Sequence, residues 1–207
     1  GHLTPVLWGS ALRHFGIDEL LAAIGDWAPP PKTMPARKEA PPETRNAPAP
    51  EAVTVEPGQA EVTGFVFKVQ ANMDPNHRDR IAFVRMASGK YTPGMKLKVQ
   101  RTAKELRPTS VVTFLSQRRE AVDEAYAGDI IGFTTHGGVQ LGDTITQGLP
   151  EQKDIQYTGL PFFAPELFMT VILKNPLRTK QLQTGLDQLG EEGAIQVFKP
   201  EIGGPML

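Results

Sequence analysis

Cysteine is absent from the 207 residues, which excludes disulfides, thiol nucleophiles and thiolate metal sites. Histidine is scarce, and the four at positions 2, 14, 77 and 136 lack metal-ligand spacing. No apolar run approaches the roughly 20 residues that cross a bilayer. The opening "GHLTPVLWGS" has no basic region of the kind that begins a signal peptide. Neither sign of charge dominates, since the net charge is −1, and this argues against wholesale nucleic-acid binding. These absences predict a soluble, cytoplasmic chain with no membrane partner, no DNA partner and no metal site.

Catalytic motifs are missing too. There is no Gly-x-x-x-x-Gly-Lys-[Ser/Thr] phosphate loop and no Asn-Lys-x-Asp. The run "NMDPNHRDR" contains the His-Arg-Asp of a protein-kinase catalytic loop, but the chemistry needs a metal-binding Asn five residues after the Asp. Counted from Asp79 that position is Val84, and no Asp-Phe-Gly or Gly-rich loop accompanies it. The tripeptide is a coincidence, and no catalytic residue is expected in this chain.

What is present is uneven charge and changing composition. From Lys68 to Arg119 there are twelve Lys and Arg against three acids, a net charge of +9. Such a stretch suits phosphates as well as it suits solvated strand faces. Residues 1–29 read as a turn and a helix whose Ile17, Leu20, Leu21, Ile24 and Trp27 form one apolar face. Residues 30–57 are rich in Pro and Ala, with few large apolar side chains, and predict a semi-extended linker. Residues 58–150 carry short alternating segments separated by Gly and Pro turns: 65–69, 81–86, 96–99, 111–115, 129–133 and 143–146. That pattern predicts a closed antiparallel barrel. In 151–207, "ELFMTVILK" predicts a strand, Asn175-Pro176 a helix start, Leu182, Leu186 and Leu189 its buried stripe, and "AIQVF" a second strand. A β-α-β unit that stops there leaves an open sheet edge, so truncation at both ends of the chain is expected.

Gly-Asp occurs twice before a strand, in "AYAGDIIGF" and in "VQLGDTIT". Gly permits the turn, and Asp can accept nearby backbone amides as pairing begins. These segments resemble the second-domain barrel of translational GTPases, as does "FVFKVQANMDPNHRDRIAFVRMASGKYTPGMKLKV", whose Phe-x-Phe-Lys, Asp-Pro and Phe-x-Arg-x-x-Ser-Gly positions match elongation factor G and its relatives. The His-Arg-Asp-Arg version after Asp-Pro, with "FAPELF" and "KQLQTGLDQLGEEGAIQVF", is similar to the class II peptide chain release factors of bacteria. "PVLWGSAL" resembles the last guanine-nucleotide motif of the same proteins.

The resemblance implies a mainly β fold with α/β flanks. In it a Greek-key antiparallel β-barrel is preceded by the remnant helix of a P-loop GTPase domain and followed by a truncated β-α-β unit. By position, Ser10, Ala11 and Leu12 would lie at the guanine base. Lys68, His77, Arg78, Arg80, Arg85, Lys90 and Arg101 would face ribosomal RNA or the adjoining GTPase domain. The intact parent would bind GTP or GDP with magnesium, while this chain alone is expected to bind none of these. Its partner would be the ribosome, with class I release factors engaged through it, and its task their dissociation after peptide release. Two alternatives remain: a fragment of an elongation factor G-like GTPase, and an independent RNA-binding barrel. Trp8 and Trp27 read as packing residues, His136 as a hairpin tip, and Glu191-Glu192 as a solvated helix end.

Overall fold

In the computed structural model, residues 3–38, 49–71, 80–108, 110–115, 118–135, 137–158 and 166–198 are described. His77 and Arg78, the Asp74-Pro75 pair and His136 lie outside them. The helices are α1 (Ile17–Trp27) and α2 (Thr179–Glu191). The strands are β1 (Met34–Lys38), β2 (Glu51–Val55), β3 (Thr63–Ala71), β4 (Arg80–Ser88), β5 (Lys90–Tyr91), β6 (Leu97–Val99), β7 (Lys104–Leu106), β8 (Val111–Leu115), β9 (Arg118–Ala121), β10 (Ala125–Tyr126), β11 (Ile130–Thr135), β12 (Thr144–Thr146) and β13 (Ile155–Tyr157). Two compact units divide the chain, residues 1–32 and 33–207. No helix among the described residues is long and apolar enough to cross a membrane.

In the first unit, Ser10 and Phe15 exchange both backbone hydrogen bonds around a short 3-10 turn, Ala11–Arg13. Gly16 at φ 72° then starts α1. A Cβ there would fall 2.6 Å from the Trp8 carbonyl oxygen, so only glycine fits. The expected apolar face of α1 is formed, but Ala23 is its one buried residue. Trp8 and Trp27 are exposed, contrary to their reading as packing residues.

The second unit is built on an antiparallel sheet of order β7-β6-β12-β3-β4-β11-β8-β9. Long connections bring β11 back beside β4 and β12 back beside β3. The expected antiparallel barrel takes the form of a curled half-barrel sheet, and among the described residues no ladder joins β7 to β9. The curl follows from the core. Leu97 and Val99 near one end of the order share one apolar cluster with Val111 and Val122 near the other, around Val66, Val84, Ile131 and Phe133.

Both Gly-Asp pairs make the same device. The Asp129 carboxylate accepts the Tyr126 N–H, and the Asp143 carboxylate the Gln140 N–H, each three residues back. Gly128 (φ 97°) donates its N–H to Met86, and Gly142 (φ 87°) to Val66. The Asp129 and Asp143 carbonyls accept in return from Met86 and Val66. Each turn thus grips the middle of one central strand, β4 or β3.

Residues 30–57 are not simply a linker. β1 lies between β2 and β13 in a three-stranded sheet, and Ala36, Val55 and Ile155 form a small core of their own with Tyr157 against it. Small side chains suffice because β13 supplies the apolar partners. Pro35, near the strand start, still accepts the Thr158 N–H on its carbonyl. Tyr157 ties this sheet to the half-barrel through a chain of hydroxyls. Ser88 donates to the Glu61 carbonyl at 2.7 Å, so Thr63 donates to Ser88 and Tyr157 to Thr63, both at 2.6 Å.

The β-α-β expectation is met only at its helix. The Asn175 side chain accepts the Leu177 N–H, and Pro176 opens the turn that leads into α2. Gly193 at φ 74° ends the helix, with the Ala194 N–H returning to the Leu189 carbonyl. Of the expected stripe, Leu186 is buried and Leu189 is exposed. Residues 166–174 and 194–198 form no strand beyond an isolated bridge at Val171. A strand persists by pairing, and no described ladder includes either segment.

Candidate functional site

The basic residues singled out in the sequence separate into two groups. Arg101 packs its guanidinium on Asp143, with Nε 2.7 Å from Oδ1 and NH2 2.9 Å from Oδ2. Its hydrogen bond with Asp143 raises the pKa of this arginine above its usual value, partly offset by burial. Lys90 bridges to Glu124 at 2.8 Å and lies over the Tyr126 ring, while Tyr126 donates its hydroxyl to Glu124. The Glu124 hydrogen bond raises the Lys90 ammonium, and the Lys90 and Tyr126 hydrogen bonds lower the Glu124 carboxyl. Arg80 pairs with Glu191 at the end of α2. Glu191 is therefore not a solvated helix end, since its carbonyl also accepts the Leu141 N–H. An arginine beside a helix C-terminus is favoured by the helix dipole as well.

Lys68 and Arg85 form the second group. Both are exposed on the outer face of the half-barrel, on adjacent strands. Lys68 opposes Phe83 in the ladder, and its Nζ lies 5.3 Å from the centre of that ring. Arg85 opposes Phe65 on one side and Ile130 on the other. Sequence reasoning found these cations but missed the aromatic side chains among which they sit. The signal that could have found them is "FVFK", where Phe67 and Lys68 are adjacent and strict alternation would separate them.

At the opposite end of the chain, Ser10 is held by its reciprocal bonds to Phe15. The N–H groups of Ala11 and Leu12, first in their turn, have no acceptor among the described residues. Leu12 is 96% exposed. Two free amides on an exposed turn fit a carbonyl oxygen such as that of a guanine base. The donor set for phosphates and magnesium is another matter, because no phosphate loop occurs in the sequence. No group of acidic or histidine side chains among the described residues could hold a metal ion.

Residues 61–148 match the family model for elongation factor G domain 2, and residues 157–207 the model for the class II release factor RF3 C-terminal domain. Over all its residues the chain is 56% identical to peptide chain release factor 3 of Bordetella petrii and 53% identical to that of Nitrosomonas eutropha. The chain belongs to the peptide chain release factor 3 family. It spans 35% of the length of these relatives. A crystal structure of a Thermus thermophilus protein is similar to 70% of this chain and 21% of its own, with a TM-score of 0.55 and 26% identity. "HRDR" falls inside the domain 2 match, and its last residue, Arg80, opens β4.

Proposed function

We propose that this chain is a segment of a ribosome-associated, GTP-binding translation termination factor that promotes the departure of class I release factors after peptide release. The observation that carries this is the identity of 56% sustained over all 207 residues with a peptide chain release factor 3. An elongation factor G-like parent accounts for the match over 61–148 but not for the release-factor match over 157–207. In this reading hydrolysis of GTP belongs to a phosphate loop and magnesium held elsewhere in the parent. Here the backbone N–H groups of Ala11 and Leu12, with Ser10 beside them, are the donors offered to the base. Lys68, His77, Arg78, Arg80, Arg85, Lys90 and Arg101 are the proposed contacts to the ribosome or a neighbouring domain, in the cytoplasm. Ion pairing of Arg80, Lys90 and Arg101 favours Lys68 and Arg85 as the outward-facing members.

The test uses a full-length factor carrying this segment, with a fluorescent class I release factor bound to post-release ribosomes. GTP-dependent acceleration of its dissociation is expected. Stimulated translocation without release-factor dissociation would overturn the reading in favour of an elongation factor.

A further inference from the structure

Between the bends at Glu166 and Lys174, the run "ELFMTVILK" has strand composition but no place in any described ladder. Leu167, Met169 and Ile172 are 89, 82 and 79% exposed, and Phe168 keeps 60% exposure although its ring meets Phe198 at 5.8 Å. No backbone hydrogen bond joins residues 166–174 to another described residue, and the isolated bridge at Val171 engages one edge of the segment at most. An exposed apolar segment with strand composition is a template for pairing with another chain. The order of its residues says which chain. When the run is laid antiparallel on a second copy of itself about Thr170, Glu166 meets Lys174, Leu167 to Met169 meet Leu173 to Val171, and Thr170 meets itself. Both ends then bring opposite charges together, and Phe168 stands across from Ile172, a favourable aromatic and β-branched pair. Parallel pairing in register would set Glu166 against Glu166 and Lys174 against Lys174. A slipped antiparallel register would part both charge pairs.

We infer that residues 166–174 form an antiparallel strand pair with the same segment of a second copy of this chain, on a twofold axis through Thr170. The contact is isologous, since each residue meets a partner that is met in return, so the assembly closes at two copies. A foreign strand could satisfy the backbone and the apolar side chains. It would also have to carry the reverse charge order at the same spacing, which this chain already supplies. Pairing withdraws from water the large apolar side chains that the chain by itself leaves exposed, and that is the driving force. The two charge pairs fix the register more than the strength, because an exposed ion pair adds little.

Sedimentation velocity of the 207-residue chain tests this from about 1 to 100 μM, with a dimer expected at a Kd of about 10 μM. Glu166→Lys sets lysines opposite each other at both ends, and Lys174→Glu does the same with carboxylates. Each should weaken the dimer about tenfold. An equal mixture of the two variants restores opposite charges at both ends, as does the double variant, and both should dimerise like the unsubstituted chain. The axis itself is read with cysteine, because the chain has none. Directly opposed residues of a strand pair lie about 5 Å apart, so Thr170→Cys should form a covalent dimer on oxidation. Leu167→Cys, about 20 Å from its own copy in this register, should not. All four substituted side chains are exposed, and circular dichroism checks that each variant folds. A chain that stays monomeric across the range overturns the proposal, as do charge variants that mixing fails to rescue. Crosslinking of both cysteine variants alike, or assembly past the dimer, overturns the closed twofold pair.

Discussion

Asp129 and Asp143 occupy equivalent turns, yet their surroundings assign them different weights. Asp143 is 4% exposed and accepts a backbone amide and two guanidinium N–H groups, whereas Asp129 is exposed and accepts one amide. Removing one partner of a buried hydrogen-bonded charge costs more than its net contribution, because the other groups are left unpaired. Asp143→Ala is therefore expected to lower unfolding free energy by about 2–3 kcal/mol, with Arg101 partly rescued by solvent. Asp129→Ala should cost about 1 kcal/mol or less. Urea unfolding followed by circular dichroism measures both, and equal losses would contradict the distinction. Tyr157 provides a pH readout. Burial pushes its hydroxyl up to about 12, against a smaller opposing effect of the Thr63 hydrogen bond. Ionisation would also oblige the hydroxyl chain through Thr63 and Ser88 to reverse. Between about pH 10 and 12 the unfolded chain gives up this proton while the folded chain keeps it, so stability falls as pH rises through that window. The loss by pH 12 is roughly 2–3 kcal/mol. An absorbance titration should contain a tyrosinate step near pH 12 that disappears in Tyr157→Phe.

Turns and helix ends decide how the elements meet. Gly89 after β4 and Gly94 after β5 both have positive φ, but a Cβ on Gly89 would lie 2.7 Å from the Glu61 backbone, while one on Gly94 would meet nothing. Gly94→Ala should cost about 1–2 kcal/mol from backbone conformation alone. Gly89→Ala should cost more, since backbone must shift as well. Thermal unfolding of the two variants checks the order, and a smaller shift for Gly89→Ala would refute it. The Gly and Pro turns between the strands were legible in the sequence, as were the strands that alternate toward one core and the two Gly-Asp turns. What escaped depends on distant partners. β1 and β2 lie in a Pro- and Ala-rich segment with few large apolar side chains, and their apolar complement, Ile155 and Tyr157, arrives about a hundred residues later. Conversely, "ELFMTVILK" has strand composition and no described ladder, because composition carries no information about whether a neighbour is present. The aromatic side chains beside Lys68 escaped for a third reason: a register shift between Val66 and Lys68 breaks the alternation on which strand faces are read. Among the candidate cations, residue type alone could not separate Lys68 and Arg85 from Arg80, Lys90 and Arg101, whose acids come from other parts of the chain.

At the scale of the whole molecule, the boundary between the two units falls at Lys32, ahead of β1. Arg37 and Lys38 lie within β1, the middle strand of its sheet. Of these three sites, trypsin should cut Lys32 earliest, because cleavage inside a paired strand requires local opening first. Mass spectrometry of early digests tests this, and prior cleavage at Arg37 or Lys38 would mean that the three-stranded sheet is not formed. That sheet also joins the segment that enters the half-barrel to the one that leaves it. In the antiparallel register Ala36 faces Tyr157 and Lys38 faces Ile155, so the entering end of β1 lies beside the exit end of β13. Tension applied through the two chain ends would load this pair from one side, parting its bonds in sequence like a zipper instead of shearing them together. In an optical trap the first yielding event should be a low-force opening of β1 from β13, and the half-barrel would bear load only after its clasp has parted.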